Sequence, residues 1–222
     1  MHIAPGFLSL PAWGTMAAVS GAAVAASMAV AGRRLDDRKV PLMGVMGAFV
    51  FAAQMVNFPI LPGTSGHLGG GFLLGIILGA PLGIIVMACV LIVQALLFQD
   101  GGVEALGANI FVMGVLPCLL GAAVRGLWQN RWGRLADVVT GAGAVVAVMA
   151  GAAVVILLLD WSGRIPARVT FLGAMGLMEV IHLGIGVVEG IISVAVVRFV
   201  LATRREAVFG PAPVPVTEEA AA

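Results

Sequence analysis

Seven long apolar stretches, separated by short polar loops, decide what this chain can fold into. They lie at roughly 12–32, 41–58, 68–79, 82–98, 107–127, 136–159 and 171–200. About 20 consecutive apolar residues cross the hydrocarbon core of a bilayer as a helix. Inside lipid, only helices and closed barrels satisfy their own backbone polar groups, and the period-two alternation of a barrel strand is absent here. The composition agrees: 61% of the 222 residues are apolar, 10% are charged, and there is no tyrosine. A soluble domain of this size needs more polar surface than that. The 31 glycines and many alanines suit helices that pack closely through small faces. The expectation is therefore an all-α integral membrane protein of about seven transmembrane helices. Residues 1–207 form one transmembrane domain, and the proline-containing 208–222 reads as a disordered cytoplasmic tail. The third stretch is short for a full crossing; it reads as tilted, broken or partly re-entrant, with Gly69-Gly70-Gly71 allowing close backbone approach.

Basic residues orient the chain. Arg33, Arg34, Arg38 and Lys39 follow the first stretch, Arg125, Arg131 and Arg134 the fifth, and Arg198, Arg204 and Arg205 the seventh; only Arg164 and Arg168 fall on the other side. The positive-inside rule places the N-terminus outside and the C-terminus in the cytoplasm. Met1-His2 and the 59–67 loop ending in His67 then share the outer face. A histidine in second position offers a metal three nitrogens: the α-amine of Met1, the His2 amide nitrogen and His2 Nδ1. A fourth nitrogen would complete a planar site, with His67 and His182 the remaining histidines. On position alone, His2 is also compatible with an ordinary start-proximal residue. A bulky second residue disfavours removal of Met1, and no basic n-region marks a cleavable signal peptide. Cys89 and Cys118 lie within apolar stretches and read as lone small apolar residues.

Polar groups at membrane depth are functional candidates. Gln54 and Asn57 lie one turn apart in the second stretch, Asn109 near the outer end of the fifth, just after Gln99-Asp100 and Glu104, and Glu179, His182 and Glu189 on one face of the seventh. Interhelical packing bonds account for such groups equally well. Glu179 and His182 have the spacing of a di-iron half-site, but no second half exists. The only lysine, Lys39, is not in a phosphate-binding loop, so ATP hydrolysis by that route is excluded, and the zinc-protease helix motif is absent. Thr64-Ser65-Gly66-His67 sets a serine near a histidine with no orienting acid. No basic, aromatic-studded surface suggests nucleic acid. Two further readings are an intramembrane metalloenzyme built on His67, His182 and Glu179, and a non-transporting membrane assembly protein.

Several blocks together resemble the CbiM/NikM family, the substrate-capture (S) components of the cobalt and nickel energy-coupling factor (ECF-type ABC) transporters. They are Met1-His2-Ile3 with Pro5-Gly6-Phe7-Leu8, Gln54-Met55-Val56-Asn57-Phe58-Pro59-Ile60, Ser65-Gly66-His67-Leu68-Gly69-Gly70 and Gln94-Ala95-Leu96-Leu97-Phe98-Gln99-Asp100-Gly101-Gly102. Leu106-Gly107-Ala108-Asn109-Ile110-Phe111, His182-Leu183-Gly184-Ile185-Gly186 and Glu189-Gly190 complete the set. The resemblance implies a captured Co2+ or Ni2+ held by Met1, His2 and His67; Asn57, Gln99, Asp100, Asn109 and His182 are the residues expected to orient those ligands. It implies six core helices plus an N-terminal one, in the cell membrane of a bacterium or archaeon. It also implies ATP-driven import, supplying cobalt to cobalamin synthesis or nickel to nickel enzymes, by a subunit that is not itself an enzyme. The partners implied are a transmembrane coupling (T) subunit, cytoplasmic ATPase subunits and a small accessory membrane protein; no catalytic cofactor is expected. Nitrogen donors suit nickel and cobalt, not magnesium or calcium. A deprotonated amide in a planar set leans towards nickel, whereas the unfused length resembles the cobalt branch at least as well.

Overall fold

A computed structural model describes residues 1–33, 35, 37 and 39–210. Arg34 and Arg38, two of the residues used for orientation, and residues 211–222 of the expected tail lie outside the described residues. Seven helical segments appear where the apolar stretches predict them. They are α1 (Leu10–Ala31), α2 (Lys39–Gln54), α3 (Gly71–Leu78), α4 (Ala80–Phe98), α5 (Leu106–Gln129), α6 (Arg134–Trp161) and α7 (Phe171–Phe209). Five of them, α1 and α4 to α7, are long and apolar enough to cross a membrane, and α2 is a shorter apolar helix. The protein is a multi-pass, all-α membrane protein. Val208 is buried, and α7 continues to Phe209.

The short α3 organises the interior. At eight residues it rises about 12 Å, less than half the thickness of a bilayer core, and every residue in it is buried. A buried half-length helix leaves orphan N–H and C=O groups at both ends, and in lipid each of these is costly. Both ends are met by ionisable side chains from distant helices. Glu189 of α7 accepts from Gly69 N and Gly70 N, just before the first turn. Arg125 of α5 donates to Ile76 O and Ile77 O at the last turn, and also to Val208 O of α7. Acid at the N-terminus and base at the C-terminus match the helix dipole.

Close approach of α3 to α5 depends on glycine. A Cβ at Gly71 would fall 2.0 Å from Met113 O, one at Gly75 2.3 Å from Cys118 O, and one at Gly121 2.1 Å from Phe72 O. Gly70 caps α3 in the left-handed region (φ 78°), where a Cβ would also meet Val50. Helix α1 stands at the periphery: Ala12, Met16, Ser20, Ser27 and Ala31 are buried, while Leu10, Val19 and Met28 face outwards. It is tied inwards by Ser20 Oγ donating to Gly107 O at 2.6 Å. Helices α6 and α7 form a long hairpin in which Gly186 and Gly190 meet the backbone of Val145 and Gly141. Both cysteines are free thiols.

Two π-helical turns interrupt the long helices, at Gln94–Phe98 in α4 and at Phe111–Val115 in α5. One ends at the Gln99–Gly102 loop and the other begins just after Asn109, so both lie beside the candidate site, a common location for such turns.

Candidate metal-capture site

The chain start is threaded into the bundle as an extended segment. Ile3 pairs with Thr64 as an isolated antiparallel bridge. Ser65 N donates to His2 O at 3.3 Å and Ala4 N to Gly63 O at 2.9 Å. The same loop carries a small hairpin, β1 (Phe58–Pro59) against β2 (Ser65–Gly66), which delivers His67 to the head of α3. From the other side, Asn109 grips Ile3 at both polar atoms: Ile3 N donates to Oδ1 at 2.9 Å and Nδ2 donates to Ile3 O at 3.2 Å. Gly102 N donates to the same carbonyl at 3.1 Å.

This threading buries the first three residues: Met1 is 1% exposed, His2 3% and Ile3 0%. The Met1 thioether packs where a Cβ on Gly151 would be, so α6 needs glycine there. The Met1 α-amine stands 2.5 Å from His67 Nε2. His67 Nδ1 lies 2.8 Å from Leu68 O, and because a carbonyl only accepts, Nδ1 carries the proton and Nε2 the lone pair. The His2 and His67 ring centroids are 4.5 Å apart. His2 Nδ1 lies 3.2 Å from Asp100 Oδ1 without the alignment of a hydrogen bond, so both His2 ring nitrogens are buried without a hydrogen-bond partner among the described residues.

The electrostatics favour bare nitrogen donors. Burial pushes the Met1 amine down from 8.0 to about 4, against the pull of Asp100 and Glu189. Burial, with the amine's charge, pushes His2 down to about 3. His67 lies well below its ordinary value for the same reasons, with His182 adding a smaller push. Burial raises the Asp100 carboxyl, opposed by the amine and by Asn57. Near neutral pH the pocket presents three uncharged nitrogens beside the Asp100 carboxyl.

Of the residues expected around the ligands, Asn57 and Asp100 are joined, with Asn57 Nδ2 donating to Asp100 Oδ2 at 2.9 Å. Asn109 holds the N-terminal strand. Gln99 is exposed, and its side chain makes no hydrogen bond among the described residues; its left-handed backbone (φ 56°) ends α4. It lines, with His2, Pro59, Ser65, Asp100 and Gly101, a cleft of about 490 Å³ that leads to His2. His182 is wholly buried: Nδ1 donates to Met178 O within α7, which leaves the buried Nε2 without a partner among the described residues. No group of three His, Cys, Asp or Glu side chains that could hold a metal exists among the described residues, so His67, His182 and Glu179 do not converge as the metalloenzyme reading requires.

Two residues carry more than their sequence suggested. Glu189, read from sequence as packing or function with equal weight, binds the backbone just after His67. Gln94, noted only within a motif block, is wholly buried beside His2, and neither amide atom has a hydrogen-bond partner among the described residues. Its one legible signal was an amide inside an apolar run.

Comparison with known proteins bears on the chain as a whole. Residues 2–207 match the family described as cobalt uptake substrate-specific transmembrane region, CbiM. The chain is 35% identical over 212 residues to an Archaeoglobus fulgidus protein assigned as a fused nickel transport protein NikMN, covering 94% of this chain and 68% of that one. It is 32% identical over 212 residues to the cobalt transport protein CbiM of Streptomyces coelicolor, covering 90% and 88%. Its fold superposes on the crystal structure of a truncated transition metal transporter with a TM-score of 0.81 at 30% identity, covering 91% of this chain and 99% of that one.

Proposed function

This chain belongs to the CbiM family of cobalt and nickel transport components, and on that premise we propose that it is the substrate-capture subunit of an energy-coupling factor importer. The cargo is Co2+ or Ni2+. Its ligands are the Met1 amine, the His2 amide nitrogen and Nδ1, and His67 Nε2. The observation that carries the reading is the buried juxtaposition of the Met1 amine and His67 Nε2 at 2.5 Å, beside a His2 ring with no hydrogen-bond partner among the described residues. Two nitrogens each about 2.0 Å from one ion at right angles stand about 2.8 Å apart, so the pair opens by only a few tenths of an ångström to admit it. Burying a chain terminus and two imidazoles without use would cost free energy; a metal recovers it.

In this mechanism the cleft faces outwards, and the ion enters past Gln99 and Asp100. The acidic rim raises the local cation concentration. Loading removes the His2 amide proton, so the bound form is a four-nitrogen set. Asn109 and the 63–65 edge fix the strand that carries three of the four donors, and Asn57 fixes Asp100. A transmembrane coupling subunit and cytoplasmic ATPases supply the energy that opens the site inwards, in keeping with the absence of a phosphate-binding loop from this sequence.

The test is nickel and cobalt binding, in competition, to the purified chain in detergent, with its native start and with one residue added before Met1. The native form binds one ion; the extension displaces the amine and abolishes high-affinity capture while thermal unfolding of the metal-free protein is unchanged. Equal binding by both forms would refute the ligand set.

A further inference from the structure

The peptide that joins Leu68 to Gly69 is held at both of its polar ends. Its carbonyl, Leu68 O, accepts from His67 Nδ1 at 2.8 Å, and its N–H, on Gly69, donates to Glu189 Oε2 at 2.7 Å. The next peptide is held the same way: Gly70 N donates to Glu189 Oε1 at 2.9 Å, and Gly69 O accepts from Gln54 Nε2 at 2.6 Å. Both carboxylate oxygens of Glu189 thus serve as acceptors, and those two N–H groups are its only hydrogen-bond partners among the described residues. A Cβ on Gly69 would sit 3.2 Å from Oε2, so glycine is what lets the carboxylate approach this closely.

A helix N-terminus is satisfied cheaply by a Ser, Thr or Asn cap. Here the acceptor is instead a buried carboxylate, the costlier choice, from a residue 120 positions away. An anion at the N–H end of an amide polarises it towards the oxygen and strengthens the bond that oxygen accepts. The receiving bond is the one that fixes the His67 tautomer. Histidines that bind metals commonly give their other N–H to a carboxylate or a carbonyl, which orients the ring and raises its donor strength. In this chain the two partners are in series.

We propose that Glu189 is a positioning residue of the capture site, acting on His67 through the Leu68–Gly69 peptide. Gln54 holds the far side of the same clamp. The inference rests on His67 as a ligand.

Nickel(II) affinity of the full chain in detergent tests it, for the wild type, Glu189→Gln, His67→Ala and the double variant. Glu189→Gln keeps the volume and removes the charge; it weakens nickel binding about 10–100-fold. In the double variant the losses do not multiply: once His67 is gone, Glu189→Gln costs less than threefold more. Wild-type affinity in Glu189→Gln, or losses that multiply in the double variant, would overturn the proposal, since a residue acting only on the general fold gives independent effects. Wild-type affinity in His67→Ala would instead overturn the ligand set, and the inference with it. Should Glu189→Gln fail to fold, 15N spectra of the three histidines in the unsubstituted protein decide: His67 is the Nδ1–H tautomer before nickel, with Nε2 shifting on addition. An Nε2–H tautomer would overturn the relay.

Discussion

At the scale of single residues, the site depends on atoms that are ordinarily inert. Asn109 illustrates this, because its amide completes the edge of a one-residue strand: it bonds both the N–H and the carbonyl of Ile3, next to the proposed ligand His2. Asn109→Ala removes both bonds and leaves the helix intact. Expected is a loss of about 10–100-fold in nickel affinity with the metal-free melting temperature nearly unchanged; calorimetric titration and thermal unfolding read the two separately. The burial that strips protons from the donors makes a second prediction. The docked Met1 amine sits near 4 against 8.0 when free, and His2 near 3 against 6.5. The undocked terminus therefore binds more protons throughout those windows. Docking is unpenalised above pH 8, and each unit below costs up to about 1.4 kcal/mol per titrating group. Where the terminus stays docked, between about pH 6.5 and 7.5, its amine is already bare, so loading displaces only the amide proton. Nickel affinity should then fall tenfold per pH unit across that range. A hundredfold fall per unit would mean that the amine is protonated before capture.

At the scale of elements, α3 decides the arrangement, and its ends are where ionisable groups enter the apolar interior. Arg125 caps two of its carbonyls and one of α7. Leaving a buried carbonyl unsatisfied costs about 1–3 kcal/mol, so Arg125→Leu, which strips three of their donor, should destabilise the bundle by at least about 3 kcal/mol. Arg134→Leu, at an exposed position, should change stability by about 0.5 kcal/mol or less. Thermal unfolding of the two variants in one detergent makes the comparison. The sequence marked α3 as too short and its glycines as close-approach positions, because length and glycine runs are local properties. It did not reveal that Glu189 and Arg125 are the caps. Those pairings span 119 or 120 and 48 or 49 residues, and no local pattern encodes which distant side chain completes a helix end. The same limit explains Gln94. As one amide in an apolar run it looks like packing, and only the fold shows that it abuts His2. Met1, His2 and His67 were legible because a chain start with histidine second is a local chelate motif, and charge bias alone put His67 on its side.

At the scale of the whole molecule, most of the basic residues sort to one end of the bundle and the site to the other. Arg125 and Arg205 gather around Phe209, 4.7 and 5.0 Å from its ring centre. At the opposite end, Ser9 N donates to Ser162 Oγ, which ties the N-terminal segment to the α6–α7 turn that precedes Arg164 and Arg168. The positive-inside rule predicts that the more basic end lies in the cytoplasm, which would leave the cleft at His2 open to the outside. An importer needs that orientation, since a cleft facing inwards would collect metal already in the cell. A membrane-impermeant maleimide reads it directly, because Arg164 and Glu206 are both exposed at opposite ends and the native thiols lie within the helices. Arg164→Cys should be labelled in intact cells, and Glu206→Cys only after the membrane is opened. The reverse pattern would turn the capture site inwards and rule out import from the outside by this subunit, even if its metal chemistry stood.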